Sequence, residues 1–135
     1  MGYKTDSDWL DVTEKGNAER IAKGSPGGHR GIGAAFAPSA PLRREYVRLY
    51  RANQDGSLTD AQWLAYRKKF LAEMRESYRR HRAAWDELLK LDRVVLLCFC
   101  TDHTRCHRRI LAEDVLPKLG AHYVTELNWK TGDPA

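Results

Sequence analysis

Hydrophobic and polar positions change their spacing several times along the chain, and each change marks a predicted element. Trp9-Leu10-Asp11-Val12-Thr13 has the β-branched and aromatic content of a short strand, closed by Glu14-Lys15-Gly16. From Gly24 to Pro41 no period of a strand or helix survives, and six glycines and prolines fall before Ala34, so residues 24–41 read as a long loop. Leu42, Tyr46, Leu49 and Tyr50 then recur at helical spacing behind Pro41, which predicts a helix over residues 42–52. Thr59 and Gln62 have the spacing of a capping box. A long amphipathic helix is expected from there, its apolar stripe running through Trp63, Tyr66, Phe70, Met74, Ser77 or Tyr78, His81, Trp85 and Leu88.

The last third changes character. Val94 to Cys100 is continuously apolar, the pattern of a strand buried on both faces of a parallel sheet. Ile110, Leu111, Val115 and Leu116 predict a helix over residues 108–119, with Gly120 just past its end. His122 to Leu127 reads as a final strand, and a strand-helix-strand unit implies a parallel crossover. The expected fold class is therefore α/β: a small, mainly parallel sheet flanked by helices, in one domain over residues 1–135.

Composition supports one domain, since 135 residues with 42% hydrophobic and 30% charged side chains suffice for a modest core. The longest apolar run, residues 94–100, is too short to span a bilayer, and MGYKTDSDWL lacks the features of a signal peptide. A cytoplasmic protein with no membrane partner is the expectation. Three cysteines fall within nine residues, Cys98, Cys100 and Cys106, and are expected to be reduced thiols rather than a disulfide framework. The net charge is +5, and residues 42–82 hold eleven Lys/Arg against five Asp/Glu, or +6, so the basic excess sits in this middle segment. A run of this kind is a solvated helix face, or else it meets an anionic ligand or nucleic acid. Residues 53–58 look superficially like a calcium loop, but Arg51 and Gln62 stand where acids are needed, so calcium is rejected. In the glycine-rich loop, His29, Arg30 and Phe36 are candidates to line a ligand, with a plain flexible connection as the competing reading.

The chemistry concentrates in VVLLCFCTDHTRCHRRILAE, residues 94–113. In a parallel sheet, ligands bind beyond the carboxyl ends of the strands, where Thr101 to Arg105 would lie. A helix start there offers free N–H groups and a positive dipole end. Arg105, His107 and Arg108 add donors suited to phosphate or carboxylate, and the same field favours the thiolate of Cys106. A phosphatase loop counted from Cys100 would need arginine at position 106, where cysteine stands. Metal binding by Cys98, Cys100, Cys106 and His103 or His107 matches no standard zinc spacing, and Cys98 and Cys100 are expected to be core residues.

The stretch LLCFCTDHTRCHRRILAEDVLPKLGAHYVTEL resembles the signature of the domain-of-unknown-function 488 family: a buried strand, a short loop, and Cys-His-Arg leading into a Leu-Ala-Glu helix. Asp11-Val12-Thr13, Phe36-Ala37-Pro38-Ser39 and the helix with Tyr66, Met74 and Ser77 extend the likeness upstream. The resemblance implies a compact three-layer α/β domain in which the loop after the first strand approaches the Cys-His-Arg loop. It maps the site onto Cys106, His107 and Arg108, with Asp11, Thr13 and Lys15 facing them. It carries no biochemical activity.

Two functions and a third follow. The first is binding or sequestration of a phosphate-bearing small molecule, a nucleotide or an ADP-ribose-type signal, by Arg105, Cys106, His107 and Arg108, with Trp and Tyr available for stacking. The second is an enzyme in which Cys106 attacks an electrophile of a nucleotide or other anionic substrate, with His107 or Glu113 moving protons. The third is a nucleic-acid-binding module using residues 42–82. None calls for a metal or cofactor, and an aromatic-rich surface leaves a homo-oligomeric contact open.

Overall fold

The structure is a computed structural model that describes residues 8–11, 33–90, 94–97 and 105–123. Helix α1, Ala40–Ala52, starts at Ser39, whose hydroxyl accepts from the Leu42 N–H, with Pro41 in the first turn where its missing donor does no harm. Its inward residues are Leu42 and Tyr46. A turn then leads to Thr59, which caps helix α2, Asp60–Arg80, in a complete capping box with Gln62. The Gln62 N–H donates to Thr59 Oγ1 at 3.2 Å and the Thr59 N–H donates to Gln62 Oε1 at 2.9 Å. Asn53 joins this network, donating from Nδ2 to Gln62 Oε1 at 2.9 Å and to the Ser57 carbonyl at 2.5 Å.

The long helix expected through Leu88 is broken. At His81 the backbone leaves helical geometry, with φ −121° and ψ 41°, and α3 resumes over Arg82–Leu89. The break re-aims the apolar stripe rather than ending it. Trp85 is fully buried, packs edge-on to Phe36 with ring centroids 4.7 Å apart, and donates from Nε1 to Ser77 Oγ at 3.1 Å. Ser77 in turn donates to the Ala35 carbonyl. That chain of bonds docks a single 3₁₀ turn, Gly33–Phe36, onto α2 and α3. Glu73 of α2 holds the next stretch, accepting from the Ser39 N–H at 2.7 Å and the Ser39 hydroxyl at 2.5 Å. The carboxyl half of the expected 24–41 loop is thus structured, and residues 24–32 lie outside the described residues.

The α/β expectation is overturned: the described residues form a mainly helical fold. Among the described residues strand is confined to a parallel pairing of β1, Asp8–Asp11, with β2, Val94–Leu97, in the register Asp8 with Val94 through Asp11 with Leu97. The reason is visible in the core. Phe36, Leu42, Tyr46, Leu58, Tyr66, Phe70, Met74, Trp85, Leu88, Ile110, Leu111 and Leu116 are drawn from helices and turns, and among the described core side chains only Leu96 comes from a strand. The helices therefore bury their apolar faces against one another, and the layered sheet implied by the resemblance is not what organises them. Cys98, Cys100 and residues 124–127 of the expected last strand lie outside the described residues, while His122 and Tyr123 have no regular structure.

The segment expected as a helix over 108–119 is helical but irregular. Helix α4, His107–Ile110, widens into a π turn, Leu111–Val115, closed by the Leu116 N–H donating to the Leu111 carbonyl at 2.9 Å. A 3₁₀ turn, Pro117–Leu119, follows. Pro117 has no N–H to continue an α ladder, so the backbone changes its winding around it. Gly120 ends the segment at φ 100°, a left-handed conformation that glycine adopts without strain. Among the described residues no helix is long and apolar enough to cross a membrane.

Candidate functional site

The Cys106–His107–Arg108 turn opens α4, and its position is set by side chains from α1 and α2. Cys106 is extended, at φ −133° and ψ 146°, and occupies the cap position. Its carbonyl accepts from the Arg109 N–H at 2.9 Å and the Ile110 N–H at 3.3 Å. Ahead of it, the Arg105 carbonyl accepts from the Tyr46 hydroxyl of α1 at 2.5 Å. The Arg105 guanidinium donates to the Leu58 carbonyl at 3.1 Å and pairs with the Asp60 carboxylate at the start of α2. Behind it, Asp114 pairs with Arg67 of α2 at 2.8 Å, and Arg109 pairs with Glu113 at 3.0 Å.

Two of the candidate residues are interior. Cys106 is fully buried, and its Sγ lies 3.9 Å from Nδ1 of His107. His107 is 5% exposed and is the one buried polar or charged residue among those described. Its ring tilts against Phe70, centroids 5.6 Å apart. Phe70 stacks on Tyr66, which meets Tyr46 at 5.0 Å and Trp63 at 5.7 Å, so an aromatic row runs from the half-buried Trp63 to the imidazole. Arg108 is half-buried, with its Nε in the interior. A thiol and an imidazole at this distance can share a proton after a small rotation, whereas attack by Cys106 on an external molecule requires the turn to open.

The other candidates separate. The backbone of Asp11 stands beside that of Leu97, so both strands end at the same edge, with seven residues of sequence between Leu97 and Arg105. Thr13, Lys15, His29 and Arg30 lie outside the described residues. Phe36 is fully buried against Trp85, in the core rather than on a ligand-lining surface. Of the Trp and Tyr rings proposed for stacking, Tyr46, Tyr66 and Trp85 are core residues, Tyr50 and Trp63 are half-buried against that core, and Tyr78 carries the Arg82 guanidinium 4.3 Å above its ring. Among the described residues no group of three or more His, Cys, Asp and Glu could hold a metal ion. The set Cys98, Cys100 and His103, weighed earlier as ligands, lies outside them.

Sequence reading missed the residues that fix the turn: Tyr46, Leu58, Asp60, Arg67 and Phe70. Tyr46 offers a partial signal, because a tyrosine at a core position of an amphipathic helix must find a partner for its hydroxyl. Nothing local says that the partner is 59 residues away.

A family model described as DUF488-N3a, the Active DUF488-N3 subclade, matches residues 20–119. No curated protein and no solved structure matches the chain.

Proposed function

Since the chain belongs to the DUF488 family, which brings no reaction with it, we propose on physical grounds that the turn at Cys106–His107–Arg108 binds a phosphate-bearing small molecule, of the nucleotide or ADP-ribose kind. The observation that carries this reading is cation density on a fixed turn: Arg105, Arg108 and Arg109 fall within five residues of a segment tied down by the Tyr46 hydroxyl and the Leu58 carbonyl. Guanidinium forks at this density suit the several oxygens of a phosphate. The helix dipole contributes little, because α4 has four residues before the π turn.

The Asp60 side chain is 90% exposed and that of Arg105 26% exposed, so their pair is weakly held in solution. An incoming phosphate takes Asp60's place on Arg105 while Arg108, three residues further on, contacts it. Calorimetry of the full chain against a panel of nucleotides and ADP-ribose tests this. Arg108→Ala should abolish the heat, and Asp60→Asn should tighten binding by freeing Arg105. No heat from the unaltered chain with any member, or equal heat after Arg108→Ala, refutes the reading.

The Cys106 Sγ to His107 Nδ1 approach of 3.9 Å favours a second reading, a cysteine-dependent enzyme acting on the same anionic ligand. The complete burial of Cys106 ranks it below binding. Its check is whether ligand raises the alkylation rate of Cys106, as exposure of a nucleophile demands; protection alone leaves binding as the function.

A further inference from the structure

We propose that Arg44, Arg48 and Arg51, the outward stripe of α1, form a docking surface for the phosphate backbone of a nucleic acid, separate from the Cys106 turn. The three arginines stand four and three residues apart, which places them on one side of the helix, opposite the core residues Leu42 and Tyr46. All three are exposed.

Most of the other cations in the basic stretch are paired within the fold, and Lys68 and Arg75, also exposed and in no ion pair among the described residues, are two cations seven residues apart on α2 rather than a stripe of three. Lys69 pairs with Glu45 at 3.0 Å, Arg79 and Arg80 with Glu76 at 2.5 and 2.7 Å, and Arg82 with Asp86 at 3.1 Å. Among the described residues, Arg44, Arg48 and Arg51 enter no ion pair. Ala40, Val47 and Ala52, positions from which an acid would neutralise the stripe, carry no charge, and Glu45 is turned to Lys69 of α2. Like charges at this spacing repel, and α1 has no acid in its first turn, where one would be favourable. An external polyanion relieves that repulsion.

The dimensions fit a strand of nucleic acid. Seven residues of helix span about 10 Å, which covers about three phosphates of one strand at about 3.4 Å of axis each. The arginine fork suits phosphate oxygens, and the stripe reads no bases, so the binding is indifferent to sequence. An anionic membrane surface fits less well, because insertion needs large apolar residues beside the cations. Among the described residues the exposed large hydrophobic is Leu64, on α2.

Fluorescence anisotropy of the full chain with a labelled single strand and a labelled duplex, each titrated at several salt concentrations, tests the proposal. R44Q/R48Q/R51Q should weaken binding at low salt by at least about tenfold and reduce the slope of log K against log salt by about 2–3. K69Q/R79Q/R80Q removes the same number of cations from ion-paired positions and should stay within about twofold of the unaltered chain. R44K/R48K/R51K should retain the slope. If circular dichroism shows the triple glutamine variant unfolded, the three single variants should each lower the slope by about 1. No oligonucleotide binding by the unaltered chain, equal losses in the two triple variants, or binding to phosphatidylserine vesicles without oligonucleotide binding overturns the proposal. The glutamine triple keeps the small-anion heat that Arg108→Ala removes, so this surface and the Cys106 turn succeed or fail separately.

Discussion

Tyr46→Phe removes one oxygen and leaves the rest of the local packing in place. The Tyr46 ring is 6% exposed and keeps its contacts with Tyr50 and Tyr66 as phenylalanine, while the hydroxyl that donates the 2.5 Å bond to the Arg105 carbonyl is lost. A net hydrogen bond contributes about 0.5–1.5 kcal/mol, and an acceptor left unsatisfied in a partly buried setting costs about 1–3 kcal/mol. Arg105 is half-buried, so water reaches the carbonyl in part and the loss should be about 1–2 kcal/mol. Asp60→Asn provides the comparison. It breaks a pair that is mostly in solvent and removes an acid from the first turn of α2, together about 0.5–1 kcal/mol. The order Tyr46→Phe above Asp60→Asn is therefore the expected result in urea unfolding, read as midpoints at unchanged slope. A second measurement places the loss at the site. Cys106 is fully buried, so its alkylation in native conditions reports opening of the turn, and destabilising the closed turn by about 1–2 kcal/mol raises the open population about 5–30-fold. Peptide mapping separates Cys106 from Cys98 and Cys100. A Tyr46→Phe variant with an unshifted midpoint and an unchanged Cys106 alkylation rate would refute the account of how the turn is held.

Three further outcomes follow from the helices. Trp85→Ala should destabilise by about 3–5 kcal/mol in urea unfolding, because it empties a fully buried site between Phe36 and Tyr78 and removes the donor to Ser77. Thr59→Ala should cost about 1 kcal/mol by the same assay, since it unmakes one arm of the capping box, and Thr59→Ser should recover most of it. The Glu76 carboxyl is held below its ordinary range, first by the hydrogen bond from Arg80 and then by the charge of Arg79. A carboxylate depressed in the folded state contributes stability above its unfolded pKa and loses it as the pH falls through the lower folded value. Glu76→Gln should therefore slightly flatten the acid side of the stability profile at low salt. Because the pair is exposed, that difference should disappear in high salt, and a difference that persists there would contradict the assignment.

The elements that sequence reading recovered are those whose causes are local. Pro41 and the spacing of Leu42, Tyr46, Leu49 and Tyr50 lie within the helix they specify, and Thr59 with Gln62 satisfies donors three residues apart. The elements it misread depend on partners far along the chain. The break at His81 has no proline or glycine to announce it, and it is held by Trp85 reaching Ser77. Phe36 sits in a stretch whose glycines and prolines read as loop, yet Trp85, Ser77 and Glu73 bring that stretch into the core. The apolar run from Val94 was ambiguous in a different way. Continuous hydrophobicity records burial without saying against what, and Leu96 is buried in a core built from helical side chains.

The same distinction reshapes the site. Sequence adjacency alone puts Arg105, Cys106, His107 and Arg108 within reach of one ligand, but burial and pairing divide their work. Cys106 and His107 turn inward, and Phe70 packs on the imidazole, so they stiffen the turn from inside. Arg105 reaches back to Leu58 and Asp60 and couples the turn to the start of α2. Attraction for an anion consequently comes less from the dipole of a long helix, which four residues of α4 do not supply, than from guanidinium groups held in place by α1 and α2. That shift changes what should matter for binding. If guanidiniums carry it, Arg105→Lys and Arg108→Lys should each weaken nucleotide binding because an ammonium cannot make the paired contacts of the fork. A dipole-driven site would be indifferent to both replacements, and calorimetry of the two lysine variants decides between them.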